Sequence, residues 1–392
     1  MQHNYPFTKE YGEVVSPGHP DKLADAIADN IVGSITTYGG PLSLVGVEVA
    51  ISLNRVFVTG RIASKHDRAS RMLNLKVVTD KVYENAGYGK SPNGYIWSPA
   101  LDKIKIDDSG LIRDSLWNGE DDIRQLSDDQ SITVGYAVNS PETNYIPRAQ
   151  WLAWQLLQEI QLLTQDRDIF GPDAKIMTEV ENNNDKWSLT RLVCSMQHNP
   201  NIDWSDLSSV VYQALDHLTA RFLRESISCE IDVPNIDLII NGHGDFSTGG
   251  PMGDNGLSGK KLVMDAYGPM IPIGGGAYSG KDPHKVDRVG PVLARELALK
   301  SLIENNLSQE TVSLTWAPGH SEYTSLISTS GKAKVLTNSY PKNINQCFSR
   351  YFSDENLRKQ LKEFALKGWY SGRLDAPWEK IIKHQLKKEE KQ

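Results

Sequence analysis

Three short stretches of this chain gather the residue types that handle phosphate. The first is Gly18-His-Pro-Asp-Lys22, which opens a segment with Leu23, Ile27 and Ile31 four apart. A helix N-terminus offers unpaired N–H groups and a partial positive charge, so it binds anions. His19 and Lys22 add positive donors, and Asp21 can hold a divalent ion between phosphate oxygens. The plainer reading is helix capping, because Pro20 suits a first helical position and Asp21 any first turn.

The second stretch runs from Gly274-Gly-Gly to Arg288. Gly275 to Lys281 fits G-x4-G-K, but Asp282 replaces the Ser or Thr that a Walker-type loop sets on Mg²⁺. No strongly apolar strand precedes it either, which argues against a P-loop NTPase. Asp282-Pro283 reads as an N-cap and first-turn proline, so a glycine loop again opens a helix. Lys281, Lys285 and Arg288 beside Asp287 suit a Mg²⁺-bound polyphosphate; the alternative is a glycine turn before a solvated helix. The third stretch, Gly249 to Lys261, has five glycines in eleven residues and ends in paired cations, Lys260-Lys261. Asp254 can reach an amino group or a metal, and the stretch runs into an apolar strand, Leu262-Val-Met264. Phe246 can stack on a base, although Phe more often belongs to a core.

Lesser candidates are Glu48, a solvent-facing carboxylate opposite Val45, Val47 and Val49, and Asp173-Ala-Lys175, which precedes a strand. Trp151 and Trp154 read as core. Neither a Ser-His-Asp nor a Cys-His nucleophile arrangement is visible, nor H-E-x-x-H.

The elements that must carry these residues are legible in the periodicity. Helices are expected at Pro20 to Val32, Lys65 to Ala86, Pro147 to Gln165 and Asp206 to Leu223, and again from Pro283, with Pro291 a kink. Val45 to Ile51 and Val56 to Ile62 form a hairpin turning at Leu53-Asn54. Strands follow at Ile176 to Val180 and Ser188 to Met196, around the turn Glu181 to Asp185, and at Ile236 to Ile240. The polar stretch Gly87 to Gln130 reads as a long loop, and Lys387 to Lys391 as a solvated tail. A strand pair with a helix recurs about three times, which gives an α+β class with mixed or antiparallel sheets covered by helices. The expected domains are 1–112, 124–240 and 241–392.

Composition sets the outer limits. The chain has 392 residues, enough for two to three domains, with 39% hydrophobic and 23% charged residues. Lys plus Arg total 42 against 49 Asp plus Glu, a net charge of -7, which argues against a nucleic-acid partner. Cys194, Cys229 and Cys347 lie far apart, so neither a disulfide framework nor a cysteine zinc site is expected. The start shows no signal peptide and no apolar run matches a bilayer, so no membrane association and a cytoplasmic location are expected.

Together the clusters resemble S-adenosylmethionine synthetase, also called methionine adenosyltransferase. The likeness rests on E-x-V-S-x-G-H-P-D-K at Glu13 to Lys22, G-G-P-M-G-D-x-G-L-S-G-x-K at Gly249 to Lys261, and G-G-G-A-Y-S-G-K-D-P-x-K-V-D-R at Gly274 to Arg288. Fainter echoes are Asp128-Asp-Gln130, Pro172-Asp-Ala-Lys175, Ser195-Met-Gln-His198 and Pro377-Trp-Glu-Lys380. The resemblance implies three similar α/β subdomains with pseudo-threefold symmetry, in homodimers or dimers of dimers with active sites at the interface. It implies that methionine sulfur attacks C5′ of ATP and that the expelled triphosphate is cut to pyrophosphate and phosphate, with Mg²⁺ (two per site) and K⁺ as cofactors.

Carried over residue by residue, the resemblance puts His19, Lys175, Lys260, Lys261, Lys281 and Lys285 around the polyphosphate. Asp21 and Asp287 match Mg²⁺ ligands and Glu48 a potassium-site carboxylate. Phe246 matches the adenine-stacking aromatic, Asp129, Asp173 and Ala277 other ATP contacts, and Asp254 a carboxylate shared between ATP and methionine. The chain also departs from the pattern. The family's G-E-I, whose Glu meets the methionine amino group, is Gly60-Arg61-Ile62; its gating-loop string is absent from Ser98 to Gln125; and its G-A-G-D-Q is Leu126-Ser-Asp-Asp-Gln130. Its G-R-F is Gly244-Asp-Phe246, and its His before the triple glycine is Ile273. These departures leave room for a methionine-like substrate, or for a paralogue that binds or hydrolyses ATP or tripolyphosphate.

Overall fold

The computed structural model describes residues 5–380 except 66–67, 166, 184–185, 337–338, 368–370 and 373–375. The charged tail and the apex of the 181–185 turn therefore lie outside the described residues. The first third contains β1 (Lys9–Val15), α1 (Pro20–Tyr38), β2 (Leu44–Ser52), β3 (Arg55–Ser64), α2 (Arg68–Met72) and α3 (Leu75–Asn85). It continues with β4 (Gly89–Lys90), β5 (Ile96–Trp97), β6 (Lys105–Ser115) and α4 (Glu120–Ile123). The middle holds β7 (Ser131–Val138), α5 (Arg148–Thr164), β8 (Phe170–Asn183), β9 (Lys186–His198), α6 (Trp204–Arg224), β10 (Cys229–Glu230) and β11 (Asp237–Ile240). The last part holds β12 (Gly256–Leu257), α7 (Leu262–Ala266), α8 (Val286–Asn305), β13 (Gln309–Trp316), β14 (Ser325–Ser328), α9 (Ala333–Leu336), α10 (Ile344–Tyr351) and α11 (Glu355–Lys367).

The three larger sheets each carry helices, as expected of an α+β chain, and each draws strands from distant parts of the sequence. β1 joins β8–β9 antiparallel, β12 joins the β2–β3–β6 sheet, and β7 joins β13. Apolar alternation along β2 sends Val45, Val47, Val49 and Ile51 to the α1 side, all at most 3% exposed. Helices α5 and α6 pack together beside the β1–β8–β9 sheet, with Trp151 and Trp154 buried in that core. Among the described residues no helix is long and apolar enough to cross a membrane.

Four expectations are corrected here. The stretch 87–130 is not a long loop, because it contains the eleven-residue strand β6, parallel to β3. β6 is an edge strand carrying polar residues on both faces, so it lacks the alternation that marks a half-buried strand. The helix expected from Lys65 to Ala86 breaks in two, because Asn74 takes an extended backbone and caps α3 by accepting from Val77 N–H. Leu262-Val-Met264 is not a strand but the first turn of α7, whose Asp265 is buried. Finally, Asp282-Pro283 does not start α8, which begins at Val286 with Lys285 as N-cap.

Candidate active site

The edge of β2 away from β3 is where many of the candidate residues are brought together. Both glycine-rich stretches dock on it in extended form. Gly256 and Leu257 pair with Ile51 and Ala50, and Lys281 bridges Gly46, with Val47 N–H donating to Gly280 O at 2.9 Å. Paired residues share a sheet face. Lys281, Gly46 and Arg61 therefore lie in one row on the face of β2–β3–β6 that α1 does not cover. The bare Gly46 leaves room there, since a Cβ on it would stand 3.5 Å from Lys285 Cε.

Helix α1 fixes the loops from the other side. Asp21, Asp25 and Asp29 recur every four residues and so form one stripe. Their carboxylates accept from Leu257, Gly259 and Gly280 N–H at 2.8, 2.8 and 2.9 Å. Asp29 is also paired with Arg288, and Asp25 with Lys22 at 3.0 Å. Lys22, fully buried, also meets Asp265 at 2.6 Å. This corrects the reading of Lys22 as a phosphate donor, for its ammonium is occupied inside the fold. Asp25 and Asp29 were missed in the sequence. Their signal was there, as acids repeating every four residues along an otherwise apolar helix.

At the start of α1, His19 is the N-cap and its Nδ1 accepts from Asp21 N–H at 3.2 Å. A ring nitrogen that accepts carries no proton, so the neutral ring keeps its hydrogen on Nε2. Burial, then the nearby Lys261 and Lys175, hold the imidazole down at about 3. Burial works against the Asp21 carboxylate, but Lys261 Nζ at 2.7 Å and Leu257 N–H outweigh it and keep its pKa low. Lys260 approaches the same carboxylate at 3.8 Å.

Asp173 and Lys175 do not precede a strand as expected; they lie inside β8, at an irregularity between Phe170 and Ala174. Asp173 accepts from Gly250 N–H at 2.8 Å, and burial pushes its carboxyl up to about 6. The neighbouring Gln197 Oε1 accepts from Asp173 N–H at 3.3 Å, while His198 Nε2 accepts from Phe246 N–H at 3.1 Å. The end of β9 thus pins the Asp173 and Phe246 segments together, with Phe246 itself half-buried. Asp254 and Lys175 are exposed beside this corner, and both act electrostatically on Asp173.

On the open face, Lys281 is paired with Asp287, whose other oxygen accepts from Ser131 Oγ at 2.6 Å. Gly276 packs tightly there, since a Cβ on it would stand 2.1 Å from that carboxylate and displace it. Gly259, at φ +84°, lies against Ala277, so the two loops touch. Lys285 is paired with Asp128. Asp129, by contrast, turns back to accept from Gln130 N–H at 2.7 Å. Buried Asp282 holds Arg124 at 2.5 Å and Val45 N–H at 2.9 Å, and it also accepts from His284 N–H at 3.0 Å in the turn before α8. Arg61 is fully engaged: Nη1 and Nη2 grip Glu120 at 2.6 and 3.2 Å, and Nε reaches Asp114 at 3.2 Å. Glu48 is exposed on the same face, opposite Thr59.

Against this geometry, three domain profiles of the S-adenosylmethionine synthetase family match the chain: the N-terminal domain over 5–106, the central domain over 124–246 and the C-terminal domain over 248–380. The S-adenosylmethionine synthase of Nostoc punctiforme is 32% identical, covering 99% of this chain and 96% of its own. The chain belongs to the S-adenosylmethionine synthetase family. The Oenococcus oeni S-adenosylmethionine synthase is 30% identical over 94% of this chain and 95% of its own. A solved structure described as an unusual S-adenosylmethionine synthetase from Campylobacter jejuni shares the three-domain fold, with TM-score 0.81 and 24% identity. It covers 97% of this chain and 99% of that one. No group of three His, Cys, Asp or Glu side chains converges among the described residues. Scattered single carboxylates next to lysines nonetheless fit Mg²⁺, which keeps waters and takes one or two carboxylates plus substrate phosphates.

Proposed function

We propose that this chain transfers the adenosyl group of ATP to methionine sulfur, using the loops on the β2 edge to hold the triphosphate. As an S-adenosylmethionine synthetase it forms S-adenosylmethionine from ATP and methionine, and the roles of single residues are our reading. The thioether is already a neutral nucleophile, so no general base is needed. The work is alignment, and stabilisation of a leaving group of about four negative charges. His19 Nε2–H, Lys175, Lys260 and Lys261 serve one end of the triphosphate, and Lys281 and Lys285 the other. Asp173, Asp254, Asp129 and Ala277 border the nucleotide, and Phe246 stacks on the adenine. Asp21 and Asp287 would hold Mg²⁺, which neutralises phosphate charge when bound, and Glu48 would hold K⁺.

The uncovered β2–β3–β6 face carries Leu257 and Ile112, 45% and 58% exposed, among its charged residues. A second copy packing there, as a homodimer or dimer of dimers, would enclose the site. The protein would act in the cytoplasm. Arg61 gives no support to a substrate with an extra carboxylate, because Glu120 and Asp114 already occupy its guanidinium.

The observation that carries this reading is the convergence of both glycine-rich loops, each bearing lysines paired with carboxylates, on one strand edge. The test is one reaction of protein, ATP, Mg²⁺ and K⁺ with and without methionine, resolved by chromatography. Methionine-dependent S-adenosylmethionine with matching pyrophosphate is expected. ATP consumption that ignores methionine would instead establish a hydrolase.

A further inference from the structure

We propose that Asp128 is an electrostatic gate on Lys285, competing with a polyphosphate for its ammonium and thereby weakening anion binding. The inference deepens the polyphosphate reading above and rests on it.

Three cations line the open face around the bare Gly46: Lys281 and Arg61 opposite it on either side, and Lys285 above it. Each has a carboxylate, but the carboxylates are not equivalent. Asp287 is built in, held by Ser131 and packed against Gly276. Glu120 is buried, gripped by Arg61 and by Trp117 N–H at 3.0 Å. Asp128 is different: its side chain is 53% exposed, while Lys285 is 18% exposed. It therefore has room to swing into water when an anion arrives.

Its placement is not that of a loose surface residue. The chain is anchored on both sides of it: upstream the Arg124 guanidinium is bound to Asp282 and to Ser43 O at 2.5 and 3.1 Å, and downstream Ser131 pairs with Trp316 of β13. Ser127 N–H donates to His320 O at 2.8 Å, and Ser127 O accepts from Gly319 N–H at 2.9 Å. The loop therefore presents Asp128 to Lys285 by construction. One negative charge beside an anion of about four charges opposes its binding through space, and salt screens the effect. The penalty falls on substrate and product polyphosphates alike, so it loosens binding and speeds release without raising the chemical rate.

The test is calorimetric titration of inorganic tripolyphosphate into the full chain in EDTA, comparing wild type, Asp128→Asn and Asp122→Asn. The last removes the same charge from exposed Asp122 on α4. Asp128→Asn should bind about tenfold tighter than wild type, with the gap closing as salt rises, and Asp122→Asn should stay within about twofold. Equal affinity of Asp128→Asn and wild type, or the same gain in Asp122→Asn, overturns the gate while leaving the polyphosphate site standing. Tripolyphosphate binding by neither wild type nor Asp128→Asn overturns both.

Discussion

The carboxylate stripe on α1 and the cation row over Gly46 use the same chemistry in opposite surroundings. On α1, Asp21, Asp25 and Asp29 are at most 2% exposed, and each spends one oxygen on a loop N–H. Over Gly46 the pairs Lys281–Asp287 and Lys285–Asp128 are partly open to water, and among the described residues no backbone N–H donates to the Asp128 carboxylate. A buried ion pair is costly to break because the survivor stays uncompensated, whereas an exposed pair contributes about 1 kcal/mol or less. The stripe therefore sets where the loops lie, and in the row it is Lys285, through exposed Asp128, that is left free to exchange its partner.

The strongest way to break this contrast is Asp29→Ala. It takes away the carboxylate paired with Arg288, 2% exposed, and removes the acceptor of Gly280 N–H. We expect a loss of about 3–5 kcal/mol in urea unfolding, while Asp128→Asn should move stability by less than about 1 kcal/mol. Equal unfolding midpoints for Asp29→Ala and wild type would show that the stripe does not hold the loops.

Lys281→Ala probes the other half. Its ammonium is paired at the edge of solvent, 29% exposed, so the fold should survive its loss. Product formation should drop by about a thousandfold, as when a preorganised group facing developing charge is removed. Wild-type turnover in a folded Lys281→Ala protein would take Lys281 out of the site.

The contrast also explains what could be read from the chain beforehand. The hairpin β2–β3, helices α1, α5 and α6 and strands β8 and β9 each show a clean period, because each lays one apolar face against a core. The three glycine-rich or capping motifs were legible because few folds need that many glycines beside lysines. What escaped was pairing at a distance. Lys22 looked like a phosphate ligand, since nothing local reveals that Asp265 meets it from 243 positions away. The partners of Arg61 lie 53 and 59 residues downstream, in a stretch read as loop. Asp128 and Asp129 are neighbours of identical type, and only the fold of the 124–130 loop decides that Asp128 faces Lys285.

The smallest effect should come from the place where stripe and site meet. His19 is held neutral, at about 3, by burial and then by Lys261. Unfolded, the ring titrates near 6.5, so between these values the unfolded chain takes up a proton that the native chain refuses. Stability must then rise with pH across that window and fall on acidification, by about 1.4 kcal/mol per pH unit at most. Asp173 works in the opposite direction. Burial raises its carboxyl from 3.8 to about 6, so the native chain holds the extra proton there and gains stability as pH falls through that range. Asn at position 19 can still accept the capping bond from Asp21 N–H. His19→Asn should therefore flatten the acid loss of stability, and Asp173→Asn should steepen it, in urea midpoints measured at about pH 7, 6 and 5. If His19→Asn keeps the wild-type slope, the ring is not held neutral at the head of α1, and the capping bond to its Nδ1 cannot be how the site keeps Nε2–H as a donor.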